Sequence, residues 1–325
     1  MRLILTLLIV LAACLVLAIG FGETPLSAPQ YLAALRDPSS AAGEILWSLR
    51  APRACAAAVV GAELGLAGAV MQGLLRNPLA DPGVLGVSAF SALGASAVIA
   101  LGLASHPGAI ELAAMAGALG AGAVVAALAA RLREPETLIL FGVALSALGG
   151  AATALIFNLS PSPITTAEVM NWLLGSAAGR GWSDIAAAAL PTLAGAALCA
   201  YAARGLSMLT LGEETAQLSG LPMARLRAAA VAGAALLTGA AVAMAGVIGF
   251  VGLAAPHLVR GSVADEPART LAPSALAGAI LLVLADLAAR MVQTPEELKL
   301  GVVTALFGAP VFALLAWRAS RSWRA

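Results

Sequence analysis

The sequence has little charge and few of the residues that enzymes use for chemistry. Only 11% of its 325 residues are charged, whereas a soluble domain carries about 25%. Lysine occurs once, at Lys299, and histidine only at His106 and His257. The chain has no GxxxxGK(S/T) phosphate loop, no HExxH zinc motif and no GxSxG nucleophile elbow. These absences exclude ATP binding by the usual loop and the common hydrolase sites.

Cysteine is also scarce. Cys14, Cys55 and Cys199 lie inside apolar runs, so we interpret them as small packing residues. Their spacing predicts neither a disulfide framework nor a metal site. The formal net charge of +1 gives no basis for nucleic-acid binding. We therefore expect no metal and no cofactor in this chain.

Apolar and small residues fill most of the chain. Hydrophobic residues make up 61% of it, and its mean hydropathy is +0.96. Ten apolar segments can be drawn, which predicts an all-α polytopic membrane protein with about ten transmembrane helices. The segments are 3–20, 51–74, 85–104, 109–130, 137–158, 184–203, 228–247, 250–263, 271–292 and 301–317. The eighth is short for a full span, and we expect a half-helix buried among its neighbours there.

The first apolar segment has two interpretations. Residues 11–14 read Leu-Ala-Ala-Cys, which resembles a lipoprotein cleavage site, but the apolar run continues past Cys14 to Phe21. A mature lipoprotein would turn polar after the cysteine. We expect an uncleaved first membrane span, because the run fills the roughly 20 residues that a bilayer requires.

The distribution of cations predicts the topology. With the N-terminus inside, the inner connections hold twelve cations and the outer connections hold six. The inner set is Arg2, Arg76, Arg131, Arg133, Arg204, Arg225, Arg227, Arg260, Arg269, Arg318, Arg321 and Arg324. The outer set is Arg36, Arg50, Arg53, Arg180, Arg290 and Lys299. This asymmetry favours both termini in the cytoplasm.

A short polar segment, residues 210–222, lies between the sixth and seventh apolar segments and is cytoplasmic in this topology. The spacing of Thr210 and Glu213 predicts a capping box at the start of a short helix. Gly220 and Pro222 predict its end. Local pattern alone leaves two interpretations open, a loop that happens to be helical and a docking site for a soluble partner.

A rigid turn follows the second apolar segment. Asn77-Pro78 and Asp81-Pro82-Gly83 prevent a helix from continuing there. The turn lies on the inner side in the predicted topology. It either serves folding alone or lies beside the polar segment as part of an inner gate.

One carboxyl group falls near the middle of the second span. Glu63 lies about twelve residues, or roughly 18 Å, into that helix, among Gly61, Gly65 and Gly68. An intramembrane carboxyl group should face the protein interior or water. We favour a neutral structural group over a proton-coupling group, because buried carboxyl groups readily stay neutral.

Six blocks of the sequence resemble the FecCD permease family. The blocks are 49–53 (LRAPR), 69–86 (AVMQGLLRNPLADPGVLG), 170–175 (MNWLLG), 209–222 (LTLGEETAQLSGLP), 246–260 (GVIGFVGLAAPHLVR) and 285–310. They occur in order within residues 49–318. The resemblance implies a type II ABC importer permease with one transmembrane domain, 1–325, and ten spans. It also implies that the chain is not an enzyme but forms a homodimer in the inner membrane that imports an iron–siderophore, haem or cobalamin-type chelate.

The resemblance also implies partners and contact residues. Two cytoplasmic ATPase subunits would bind ATP and magnesium, and they would receive the coupling segment 204–227. Its expected contact residues are Leu211, Gly212, Glu213, Glu214, Ala216, Gln217, Ser219 and Gly220. An extracytoplasmic binding protein would dock its carboxylates on Arg50, Arg53 and Arg290, since a guanidinium holds a carboxylate with two hydrogen bonds. Contact with lipid headgroups is the simpler alternative for these arginines.

Two other functions stay open at this point. A proton- or sodium-driven secondary transporter would place ionisable groups at the membrane midplane, where Glu63 and Asp286 could serve. A membrane-embedded enzyme would need a nucleophile or metal set that the sequence does not provide. Neighbouring reading frames for a P-loop ATPase and a secreted binding protein would favour the importer.

Overall fold

The computed structural model describes residues 2–22, 24–131, 135–160, 162–292 and 297–322, and these residues form an all-α protein. The α-helices among them are α1 Arg2–Gly20, α2 Ala28–Arg36, α3 Ala41–Gly43, α4 Ala51–Leu75, α5 Val87–Ala100, α6 Ala109–Arg131, α7 Pro135–Leu159, α8 Pro163–Leu173, α9 Trp182–Leu209, α10 Glu213–Leu218, α11 Met223–Ala245, α12 Val251–Arg260, α13 Pro267–Met291 and α14 Leu300–Ser322. A π-helical segment, Glu44–Arg50, joins α3 to α4.

Each of the ten predicted apolar segments contains a helix. Within the described residues, seven helices are long and apolar enough to cross a membrane: α1, α4, α6, α7, α9, α11 and α13. Helix α5 and the apolar part of α14, Leu300–Pro310, are shorter. The expected half-helix is α12, which has ten residues. A polytopic membrane protein is thus confirmed, whereas the count of ten spans stays a prediction.

The first helix continues through the residues that resemble a cleavage site. Helix α1 runs without a break to Gly20, and Cys14 packs among buried residues of α4 and α13. Among the cations counted for topology, Arg133 and Arg324 lie outside the described residues.

Helices α4 and α11 form the centre of the fold, because they are the most buried of the candidate spans. Glycines let α4 approach its neighbours closely. A Cβ atom added to Gly61 would overlap the carbonyl oxygen of Gly278 on α13, and one on Gly68 would overlap that of Gly252 on α12. In a bilayer the hydrophobic effect does not drive helices to associate, so close packing through small residues holds them together.

Replacing Gly61 with alanine should therefore destabilise the protein. The added methyl group must push α4 from α13, and overpacking of this kind costs about 1–3 kcal/mol. Gly150→Ala on α7 is the matched control, since an added Cβ there meets no atom within 4 Å. Thermal unfolding in detergent should show a lower midpoint for Gly61→Ala only. Equal midpoints for the two variants would contradict the close contact.

Candidate functional site

The short polar segment forms α10, which connects α9 directly to α11. Gly220 has the left-handed φ of 83° that was predicted for the end of the helix. The predicted capping box is wrong. The hydroxyl of Thr210 donates to the carbonyl of Ser207 at 2.7 Å, because α9 continues to Leu209 and Thr210 caps its end. Gly212, with φ 98°, then begins α10.

An ion pair fixes α10 against α11. Arg227 Nη2 lies 2.6 Å from Glu213 Oε1, and both side chains are at least three-quarters buried. The side-chain amide of Gln217 donates to the same oxygen at 3.1 Å. The backbone of Leu221 donates to Ala216 at 3.1 Å and closes the helix. The coupling segment is therefore held rigidly at both ends.

Burial separates the predicted contact residues of this segment into three groups. Ala216 is 1% exposed and belongs to the core cluster that contains Leu209 and Leu226, so its expected exposure is wrong. Leu211 is 70% exposed and Leu218 is 84% exposed. Glu214, Gln217, Ser219 and Gly220 are also exposed, while Gly212 and Glu213 are only partly exposed.

Leu218 was not among the contact residues expected from the sequence. It completes an exposed apolar pair with Leu211 around α10. Its three-residue spacing from Thr215 on a short helix was the signal that could have identified it. Two exposed leucines, one before a short polar helix and one at its end, suit burial by a partner protein.

The turn after α4 has the rigid geometry that its prolines predict. Arg76 ends α4 in the left-handed conformation with φ 48°. The side chain of Asn77 accepts from the amide of Leu79 at 2.9 Å, and that of Asp81 accepts from Gly83 at 2.7 Å. Burial raises the pKa of the Asp81 carboxyl group, and the bond from Gly83 opposes that rise.

A cavity connects this turn with the coupling segment. It has a volume of about 280 Å³, and its lining includes Pro78 on the turn and Thr210 beside α10. Arg260 of α12 also lines it and donates to Gln72 Oε1 at 2.6 Å. The turn and the coupling segment are thus neighbours, whereas a gating role stays a prediction.

The three arginines expected to dock a binding protein point into the protein. Arg50 is 6% exposed and donates to the carbonyl oxygens of Gly20, at 2.9 Å, and of Thr24. Arg290 is also 6% exposed and donates to Ala18 O at 3.2 Å. The expected surface position is wrong for both side chains, because carbonyl groups at the end of α1 and in the following loop bind them.

A buried carboxylate joins two of these arginines. Asp286 of α13 is 0% exposed. Arg53 Nη2 lies 2.8 Å from its Oδ1 atom, and Arg290 Nε lies 3.1 Å from its Oδ2 atom. Arg53 also forms an ion pair with Glu297. The two ion pairs therefore explain a buried carboxylate at Asp286 without a proton- or sodium-binding role.

Glu63 lies at the contact of α4 with α9 and is 1% exposed. The hydroxyl of Thr192 lies against its Oε1 atom and against the carbonyl oxygen of Ala188. Its Oε2 atom has no hydrogen-bond partner among the described residues. The group faces the protein interior, as expected, and contacts no cation in the described part of the chain.

Glu63→Gln should leave transport unchanged across a range of pH, because glutamine can accept the same hydrogen bond from Thr192 in the same space. The measurement is uptake by the reconstituted transporter at several pH values. Glu63→Ala is the contrasting variant, since it removes the bond and leaves a cavity. Loss of the pH dependence of uptake in Glu63→Gln would instead assign a proton-coupling role to the group.

The backbone is also irregular between α11 and α12. Residues 246–250 leave the helical conformation between α11 and α12. With α8 and α14 they line a cavity of about 640 Å³, whose residues include Leu174, Val247, Gly301 and Ala305. Irregular backbone at membrane depth is tolerated where it is buried in protein or lines a water-filled cavity.

Comparisons with known proteins agree with this architecture. A model of the FecCD transport family matches residues 8–318. The chain is 40% identical over 321 residues to the vitamin B12 import system permease protein BtuC of Salmonella schwarzengrund, covering 98% of this chain and 94% of that protein. It is also 40% identical over 293 residues to the uncharacterised ABC transporter permease protein YvrB of Bacillus subtilis, covering 86% and 80%.

A solved structure shares the fold. An ABC transporter described as of the metal-chelate type, in an inward-facing conformation, superposes with a TM-score of 0.87 and 31% sequence identity. The match covers 98% of this chain and 99% of that chain. The protein therefore belongs to the FecCD transport family and is the membrane permease subunit of an ABC importer.

Proposed function

We propose that this permease imports a chelate of the iron–siderophore, haem or cobalamin class across the inner membrane. The support is the vitamin B12 permease that matches 98% of the chain and the related transporter of the metal-chelate type. The cavity of α8 and α14 would form part of the path, and its lining of small and apolar residues makes few specific contacts. A separate binding protein would then supply most of the selectivity.

The proposed assembly contains two copies of this chain, each with ten spans and cytoplasmic termini. Two ATPase subunits bind it from the cytoplasm, since the sequence has no phosphate loop of its own. ATP and magnesium stay with those subunits. A soluble binding protein delivers the chelate from outside.

The observation that carries this proposal is the geometry of α10. Leu211 before it and Leu218 at its end are exposed, on the proposed cytoplasmic side, while the ion pair of Glu213 and Arg227 joins it to α11. Helix α11 packs in turn against α4, α6 and α9. If an ATPase subunit displaced α10, the displacement would therefore be transmitted through α11 to the central helices, because a rigid element moves as a unit.

Reconstitution tests the proposed function. The permease is combined with the ATPase and the binding protein encoded beside it, and the ligand bound to that protein is identified by mass spectrometry. Uptake of this ligand into proteoliposomes should require ATP and persist without an ion gradient. Uptake driven by a proton or sodium gradient without ATP would establish the secondary transporter instead.

Docking of the binding protein would require a partner exchange at Arg53. Its ion pair with Glu297 is partly exposed, with side chains 13% and 23% exposed. A carboxylate from the binding protein would compete with Glu297 for this guanidinium. Arg50 and Arg290 would then support the outer surface from within rather than bind the partner.

Cross-linking can test the inner gate. Arg76 and Thr210 both line the cavity between the turn and the coupling segment, and both are exposed. In Arg76→Cys with Thr210→Cys, thiol cross-linkers of increasing length should give yields that change when ATP is bound to the complex. Single-cysteine variants measure the background from the native cysteines. A constant yield in all nucleotide states would leave the turn with a folding role only.

A further inference from the structure

An apolar groove opens on the outer half of the molecule between α6 and α9, with α11 as its floor. We call it the outer groove, and its volume is about 640 Å³. Its walls include Leu112 and Met115 of α6 and Leu190 of α9, and its floor includes Leu236. Leu112 is 72% exposed and Leu190 is 78% exposed. The groove is therefore open along the side of the helix bundle.

Charged residues close the outer end of this groove. Arg180 Nη1 lies 3.1 Å from Glu111 Oε1 and 3.9 Å from Asp184 Oδ1. Arg180 Nε is buried, yet it has no hydrogen-bond partner among the described residues. The three groups line the same groove as the leucines. One guanidinium, with its side chain 20% exposed, and two carboxylates therefore end an apolar channel.

The length of the groove fits one leaflet of a membrane. Along α6 it extends from Glu111 to Leu119, and along α9 from Asp184 to Ala194. At 1.5 Å per residue these stretches are about 12 and 15 Å long, close to half of the ~30 Å hydrocarbon thickness. Its apolar walls would thus lie beside acyl chains.

An aromatic pair places the charged end at the membrane interface. Trp182, two residues after Arg180, is 52% exposed and donates from its indole nitrogen to Trp47 O at 3.0 Å. Trp47 is 38% exposed. Exposed tryptophans are enriched at the level of lipid headgroups. Glu111, Arg180 and Asp184 are therefore positioned to contact a headgroup.

We propose that the outer groove binds one phospholipid whose headgroup carries a primary ammonium, such as phosphatidylethanolamine. Its phosphate contacts the partly exposed guanidinium of Arg180, and its ammonium donates to Glu111 and Asp184. One acyl chain lies along Leu112 and Leu190 in the groove.

Charge distinguishes this lipid from the other common headgroups. The cluster contains two carboxylates and one guanidinium, so it favours a headgroup that offers a cation as well as a phosphate. Phosphatidylglycerol brings a phosphate and no cation, so the carboxylates repel it. The quaternary ammonium of phosphatidylcholine has no N–H group to donate to Glu111 or Asp184.

Lipid exchange followed by native mass spectrometry tests the proposal. The full permease is delipidated and placed in nanodiscs that contain equal amounts of phosphatidylethanolamine and phosphatidylglycerol. We expect one retained phosphatidylethanolamine per chain. Glu111→Gln should lower the ratio of bound ethanolamine lipid to bound glycerol lipid about fivefold, the upper range for one partly exposed ion pair.

Matched variants separate the groove from the general membrane surface. Glu44→Gln removes an exposed outer carboxylate outside the groove and should leave the ratio unchanged. Ala194→Phe fills the apolar wall and should release the lipid, while Ala189→Phe changes an exposed alanine of α9 that does not line the groove. Equal retention of both lipids, no retained lipid, or a second copy of the chain cross-linked through the groove would each overturn the proposal.

Discussion

Leu218→Asp should reduce ATP-driven transport to below about a tenth of the wild-type rate. Leu218 is 84% exposed in the isolated chain, and burial of a leucine side chain contributes about 1.5–3 kcal/mol. Aspartate removes this contribution and would place a charge in the partner's apolar groove, which costs more still. The measurement is co-purification of the ATPase subunits and uptake by the reconstituted complex.

Two variants distinguish docking from a general effect of the substitution. Leu218→Met keeps an apolar side chain of similar size and should keep transport. Leu101→Asp makes the same chemical change at a leucine that is 72% exposed after α5, on the predicted outer side, and it should also keep transport. If Leu218→Asp binds the ATPase and transports normally, α10 is not the coupling element.

The coupling segment shows what local sequence pattern can predict and where it fails. Gly220 and Pro222 marked the end of α10 correctly, because a left-handed glycine and a proline act through their own backbone. The start was wrong, because the capping pattern of Thr210 does not tell where the preceding helix ends. Burial of Ala216 depends on its packing against distant residues such as Leu226, which no local pattern contains.

The positions of the helices were largely predictable. Apolar runs of about 20 residues with few charges indicated the long helices, and the short eighth run correctly indicated α12. These features depend on composition within one segment.

The partners of the outer arginines were not predictable in this way. Arg53 and Asp286 are 233 residues apart in the chain, and they meet only because α4 packs along α13. The sequence predicts that Arg53 lies on the outer side but shows no carboxylate near it in the chain. Residues 41–75 are continuously helical, so Arg53 does not face a free helix N-terminus, and the carboxylates of Asp286 and Glu297 compensate its charge.

Asp286→Asn should destabilise the protein strongly. The carboxylate is 0% exposed and pairs with both Arg53 and Arg290. Asparagine leaves the guanidinium of Arg290 buried with only carbonyl partners, and removal of one partner from a buried ion pair costs about 3–5 kcal/mol. We expect a lower yield of folded permease and a lower midpoint of thermal unfolding in detergent.

Two further variants test whether the charge itself causes the loss. Glu297→Gln removes a carboxylate that is 23% exposed, so it should cost about 1 kcal/mol or less. Asp286→Asn combined with Arg290→Met removes both members of the buried pair, and it should recover part of the stability because the uncompensated charge is gone. A wild-type midpoint in Asp286→Asn would show that the two arginines need no buried anion. Equal losses in the single and double variants would assign the effect to packing rather than to charge.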